Sequence, residues 1–106
     1  MATSPEYAAH VCALLEGAGH VRSRKMFGEY MVYVNDKPVL LVCDNTVYAK
    51  MLPALEGLMR RAQQGPPYPG AKDHWLVDVD TPGLLRQVVD VLEPLTPVPR
   101  PRRKKA

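Results

Sequence analysis

Apolar residues recur with helical spacing near both ends of this chain and alternate with strand spacing in its middle. Three short apolar runs, residues 30–34, 39–43 and 47–51, are separated by Asn35-Asp36 and Asp44-Asn45. Asn and Asp tolerate the left-handed conformations that tight hairpins require, so the pattern predicts an antiparallel meander. Ahead of it, Ser4-Pro5-Glu6 has the form of a helix start, with a capping hydroxyl, a proline for the first helical position and a carboxylate for the positive dipole end. Tyr7, Val11, Leu14, Leu15 and Ala18 then fall on one helical face, and Gly17 and Gly19 close the element. Residues 51–62 predict a second helix, with Leu52, Leu55, Met59 and Ala62 on one stripe and Glu56 to Arg60 spaced for an ion pair. Trp75, Val77 and Val79 alternate with His74, Leu76, Asp78 and Asp80, which predicts a strand over 73–80. Thr81-Pro82 opens a last helix with Leu84, Leu85, Val88, Val89, Val91, Leu92 and Leu95 on its apolar side. The expectation is an α+β two-layer fold, with an antiparallel sheet and helices in the order α-β-β-β-α-β-β-α.

Both faces of the first two meander strands are apolar: Tyr30, Val32 and Val34 on one side, Met31 and Tyr33 on the other. A two-layer domain covers only one sheet face with its own helices. Part of the second face therefore calls for another cover, and a second subunit is the simplest one, so a homodimer is expected. Between the second helix and the last strand, Gly65-Pro66-Pro67-Tyr68-Pro69-Gly70 forbids a central strand and reads as a rigid loop or short edge segment.

Charge divides the chain in two. Of the 14 cations, Arg100, Arg102, Arg103, Lys104 and Lys105 carry five, leaving nine against 11 carboxylates, a net of −2, in residues 1–99. The pI near 9.0 is thus a property of the end of the chain. Residues 96–106, rich in Pro, Arg and Lys, read as an extended, disordered tail after a single domain over residues 1–95. Such a tail binds polyanions weakly and without reading sequence. Within the body, Arg22, Arg24 and Lys25 form a positive cluster. It is either a solvated edge pairing with Glu29 or its neighbours, or a docking patch for an acidic partner. No apolar run approaches the roughly 20 residues of a membrane helix, and the N-terminus lacks signal-peptide features, so a cytoplasmic protein is expected.

The chemistry-bearing residues are scattered. His10, His20 and His74 lie on three different elements without metal-ligand spacing, and no phosphate loop, nucleophile elbow, zinc-protease motif or Cys-x-x-Cys occurs. Cys12 and Cys43 read as reduced, buried small apolar residues. Asp78 and Asp80 face the same way on the expected strand and would suit a metal or an acid–base pair, or a solvated face with a helix cap at Asp80 or Thr81. No catalytic residue, cofactor or metal site is assigned, and the expectation is a protein that is not an enzyme.

Lys25-Met26-Phe27-Gly28-Glu29-Tyr30, followed by a strand, a two-residue turn, a second strand and Val47-Tyr48-Ala49-Lys50, resembles the N-terminal domain of the TfoX/Sxy competence regulators. Tyr68-Pro69 and the final helix fall where that family's pattern places them. Lys25, Met26, Phe27, Gly28 and Tyr30 are then the family motif, structural or contact-making. Gly28 suits a bulge or close backbone approach, and Met26 and Phe27 suit a plug between sheet and helix. The resemblance implies a secretion-chaperone-like α+β fold and a regulatory role linked to transcription of competence-type genes. Family members carry a second, C-terminal domain for which 106 residues leave no room, so it implies the N-terminal domain standing alone. Three functional classes follow: a non-catalytic regulatory or adaptor domain acting on a protein partner, a nucleic-acid-associated protein using its basic tail and, ranked last, a small enzyme without a recognisable motif.

Overall fold

The structure, a computed structural model, describes residues 3–26 and 29–98. It comprises α1 (Pro5–Leu14), β1 (Val21–Met26), β2 (Glu29–Val34), β3 (Lys37–Cys43), β4 (Thr46–Ala49), a single 3₁₀ turn (Pro53–Leu55), β5 (Gln64–Gly65), β6 (His74–Val77) and α2 (Leu84–Leu95). All six strands form one antiparallel sheet in the order β1-β2-β3-β4-β6-β5. The α+β layering is as the hydrophobic pattern predicts.

Each end of the meander is set by local chemistry. Asn35 and Asp36 have φ of 53° and 66°, and Asp44 and Asn45 have φ of 52° and 53°. Two consecutive left-handed residues are the signature of the type I′ turn, whose twist matches that of the flanking strands. Strand β3 carries a bulge. Tyr33 pairs with Pro38 but Val32 pairs with Leu40, so Val39 is an extra residue. Helix α1 starts as expected, with the Ser4 hydroxyl accepting the Tyr7 N–H at 3.1 Å.

One hydrophobic core lies between the helices and the inner sheet face. Ala8, Val11 and Leu15 from the α1 segment meet Leu85, Val88, Val89 and Leu92 of α2 over Val32, Val34, Leu40, Val42, Val47, Ala49, Trp75 and Val77. Leu14, placed on the apolar face by spacing alone, is largely exposed. At the far end of α2 the Lys37 ammonium reaches both the Glu93 carboxylate and the Glu93 carbonyl, each at 3.0 Å. These contacts pin the β2–β3 turn to the helix.

Three expected elements differ. Residues 51–62 do not form a helix. Apart from Met59 N–H to Leu55 C=O, the segment makes tight i→i+3 bonds such as Glu56 to Pro53 and Ala62 to Met59. Leu55 and Met59 are nonetheless fully buried, so the apolar stripe is used without the helical ladder that Gly57 disfavours. The Glu56–Arg60 ion pair does not form among the described residues. Residues 21–26, which the apolar pattern does not mark as a strand, are an edge strand, whereas Gln64–Gly65 is the short edge segment that the proline-rich stretch allowed. The last strand stops at Val77. Asp78 instead accepts the Asp80 N–H (3.0 Å) and the Thr81 hydroxyl (2.9 Å), and Gly83, not Asp80 or Thr81, caps α2.

Gly19 is required by close approach as well as by its φ of 138°. A Cβ there would lie 2.7 Å from Asn35 Oδ1, which accepts the His20 N–H at 2.9 Å. Gly19→Ala is expected to cost about 1–3 kcal/mol. Leu92→Ala, in the centre of the core, is expected to cost about 2–5 kcal/mol, whereas Leu95→Ala on the exposed end of α2 should stay within about 0.5 kcal/mol. Urea unfolding of the three variants checks the ranking.

Candidate functional site

The helices occupy one face of the sheet, and the opposite, outer face is the part of the fold with apolar surface to spare. Cross-strand pairing aligns Arg24, Met31, Leu41, Tyr48 and Leu76 in one row across five strands, and Arg22, Tyr33 and Pro38 in the next. Met31, Tyr33, Leu41, Tyr48 and Leu76 are half-buried. The proline-rich segment supplies part of the cover. Pro67 is buried and the loop 66–69 lies beside Glu29, Asp44 and Tyr48. Tyr68 stands 55% exposed. Between this loop and the β1–β2 hairpin remains a groove of about 590 Å³ lined by Met26, Glu29, Met31, Leu41, Cys43 and Tyr68. A small cleft continues from it along Met31, Leu41, Pro38 and Tyr48 to Lys50 and His74.

Glu29 is the polar member of the groove, and it is already committed. Its Oε1 accepts from the Thr3 N–H (3.1 Å), the Thr3 hydroxyl (2.6 Å) and the Asp44 N–H (3.0 Å). The Thr3 hydroxyl also accepts the Asn45 N–H, and Asn45 Oδ1 accepts the Ser4 N–H. The clamp joins the entry to α1, the start of β2 and the β3–β4 turn. Burial pushes the Glu29 carboxyl up, but the hydrogen bonds from Thr3 and Asp44 outweigh it and hold the group below its ordinary value. No local pattern announces this, because Thr3 and Asp44 are distant in the chain.

Cys43, buried in the groove floor, has its thiol pushed up to about 11, first by burial and then by the Glu29 charge. Burial also raises Cys12, against a hydrogen bond from Ser23. Neither thiol is ionised near neutral pH, so neither is an activated nucleophile there. His74 donates from Nδ1 to the Lys72 carbonyl at 2.8 Å. Among the described residues no three His, Cys, Asp or Glu side chains gather as a metal site, and no helix is long and apolar enough to cross a membrane. Asp78 and Asp80 do not act as a carboxylate pair, since Asp78 is spent on its own turn. A second depression, about 560 Å³ between Leu58, Leu76 and Leu84, is rimmed by Arg61, Gln63 and that same Asp78.

The positive cluster is split. Arg22 and Arg24 lie on the outer face of β1, while Lys25, paired with Tyr30, lies on the other. Arg22 stacks 4.3 Å over the Tyr33 ring and sits 3.6 Å from Asp36, rather than pairing with Glu29. Of the motif residues, Met26 lines the outer-face groove instead of plugging the gap between sheet and helix, because it shares the strand face of Arg22 and Arg24, and Tyr30 is buried on the inner face. Phe27 and Gly28, and the cations Arg100, Arg102, Arg103, Lys104 and Lys105, lie outside the described residues.

A family model, the TfoX N-terminal domain, matches residues 13–86. The chain belongs to the TfoX N-terminal domain family. The matched span takes in all six strands, and so both the outer-face groove and the edge strand β1 of this TfoX N-terminal domain. A relative in Spirochaeta aurantia, the "uncharacterized 12.7 kDa protein in trpE 5' region", is 37% identical over 107 residues, covering 99% of this chain and 93% of that protein.

Because the folded pKa of Glu29 is depressed, its contribution to stability is present above the unfolded value of about 4.3 and is lost as pH falls through the folded value. Glu29→Gln is expected to cost about 1–2 kcal/mol at pH 7. The gap to the unsubstituted protein should narrow below about pH 4. Chemical denaturation at both pH values measures it.

Proposed function

We propose that this TfoX N-terminal domain is a non-catalytic regulatory or adaptor domain that works through protein–protein contacts in the cytoplasm, as a homodimer closed over the outer sheet face. One observation carries the reading. Apolar side chains that the fold does not need for its own core, Met31, Leu41, Leu76 and the exposed Tyr68, are gathered on a single face. Continuous apolar surface of this kind is characteristic of a contact site. The family's association with regulation of competence-type genes gives the direction of the biology, with control exerted through a partner and not through a reaction. Unionised thiols and a pre-engaged Glu29 are consistent with that.

Sedimentation at micromolar concentration is expected to give a dimer. Met31→Glu or Leu41→Glu, each placing a charge in the face, is expected to give a folded monomer. A clean monomer for the unsubstituted chain would remove the homodimer from the reading.

The basic tail supports a second reading, association with nucleic acid. Five cations confined to residues 100–105 and a body of net charge −2 imply weak, sequence-blind DNA binding. Its log–log salt slope should have a magnitude of about 4–5 at most. Removal of residues 100–106 is expected to abolish this binding while the fold and the dimer persist. Sequence-selective binding that survives truncation would promote the nucleic-acid reading over the adaptor.

A further inference from the structure

Strand β1 ends the sheet, and its backbone is built to receive another strand. The His20 carbonyl accepts the Asn35 N–H at 2.8 Å. The ladder alternates from there, so Arg22, Arg24 and Met26 bond toward β2, opposite Tyr33, Met31 and Glu29. The N–H and C=O groups of Val21, Ser23 and Lys25 therefore point away from the sheet. Among the described residues none of them has a backbone partner. Helix α1 packs beside β1 and its Cys12 shares a hydrogen bond with the Ser23 side chain, yet Ser23 and Lys25 both remain exposed. The opposite edge, β5, is only two residues long and runs straight into Pro66-Pro67, which blocks further pairing.

The side chains of β1 select what can pair. Arg22 and Arg24 project from the same face two residues apart, and both are exposed. Arg24 has no ion-pair partner among the described residues, and the Tyr33 ring holds the Arg22 guanidinium along the outer face. A second copy of β1 fits poorly. Each of the three two-fold antiparallel registers that use more than one of Val21, Ser23 and Lys25 sets an arginine directly opposite an arginine, a destabilising arrangement. A strand with carboxylates at alternate positions meets the opposite condition. Arg22 and Arg24 bond toward β2, so on the new side they occupy the non-hydrogen-bonded sites, where facing side chains come closest.

We propose that the free edge of β1 is a docking edge for an extended acidic segment of another protein, which adds as a further antiparallel strand and sets two alternate carboxylates against Arg22 and Arg24. This rests on the protein-contact reading above and names a partner chemistry for it, at an edge that adjoins the groove through Met26. Nucleic acid is the weaker candidate for this edge, because its phosphates can meet the arginines but cannot continue a peptide ladder along Val21, Ser23 and Lys25.

The probe is a fluorescent octapeptide of alternating Thr and Glu, titrated onto the full chain and read by anisotropy, with amide hydrogen exchange read on the same complex. Binding is expected to protect the Val21, Ser23 and Lys25 amides. Arg24→Glu is expected to weaken it at least about fivefold. Arg22→Glu with Arg24→Glu should shift preference to the peptide of alternating Thr and Lys. Methylating the threonine N–H groups, which face β1, should abolish binding by the unsubstituted chain, whereas methylating those of the glutamates should not. Equal affinity for the threonine-methylated peptide, competition by duplex DNA at equal charge, or unprotected β1 amides would overturn the proposal. The last result would also mark capture by the basic tail. Sedimentation of the same samples separates the two readings. A monomer that binds the peptide faults the dimer alone, and a dimer that ignores it faults the edge alone.

Discussion

Register in the β2–β3–β4 meander governs everything else in this molecule. Two type I′ turns start the pairing at Val34 with Lys37 and at Cys43 with Thr46. Continued without interruption, the first hairpin would have set Val39 against Val32 and Leu40 against Met31. The extra residue at Val39 shifts the ladder by one, so Leu40 and Val42 join Val32 and Tyr30 inside, while Leu41 joins Met31 outside. Side chains alternate with period two, so a single residue gained or lost exchanges the two faces from that point on. The bulge thus divides an almost wholly apolar strand into an inner set that makes the core and an outer set that does not.

That division produces a domain covered on one side. The helices and the 3₁₀ turn seal the inner face, and the loop 66–69 shields the outer face at its β4 side through the buried Pro67. The Glu29 clamp fastens the chain entry and the β3–β4 turn beside the remaining groove, so the groove wall is held by three hydrogen bonds to one carboxylate oxygen. The floor of the groove is largely apolar, and the one carboxylate in its lining is already hydrogen-bonded. The two thiols belong to the same picture, since burial keeps both protonated.

The β1 edge is a different surface with different physics. The outer face offers apolar area without direction, whereas the edge offers three directed pairs of backbone groups and two arginines. Its cations also act as a guard, because they disfavour the pairing of one β1 with another. The apolar face runs across the sheet, and the charged edge closes it on one side.

Much of the fold was legible in the residues themselves. Asn35-Asp36 and Asp44-Asn45 announce tight hairpins because few residue pairs accept two left-handed conformations. Ser4-Pro5 announces a helix because the hydroxyl and the ring satisfy its first turn locally. The apolar stripe Leu52, Leu55, Met59 and Ala62 correctly marks a buried surface, yet it does not make a helix. Periodicity reports which side chains are buried, and tertiary packing can hold them there without the helical ladder. Strand β1 was hidden because an edge strand needs no apolar alternation, and its cations obscure the pattern. The Glu29 clamp, the bulge at Val39 and the partition of Arg22 and Arg24 from Lys25 rest on pairings between distant parts of the chain. The sequence by itself determined the turns, the caps and which residues seek burial, all short-range chemistry. Only the tertiary structure decided which face each residue joined and which surfaces stayed free, because those depend on cross-strand register.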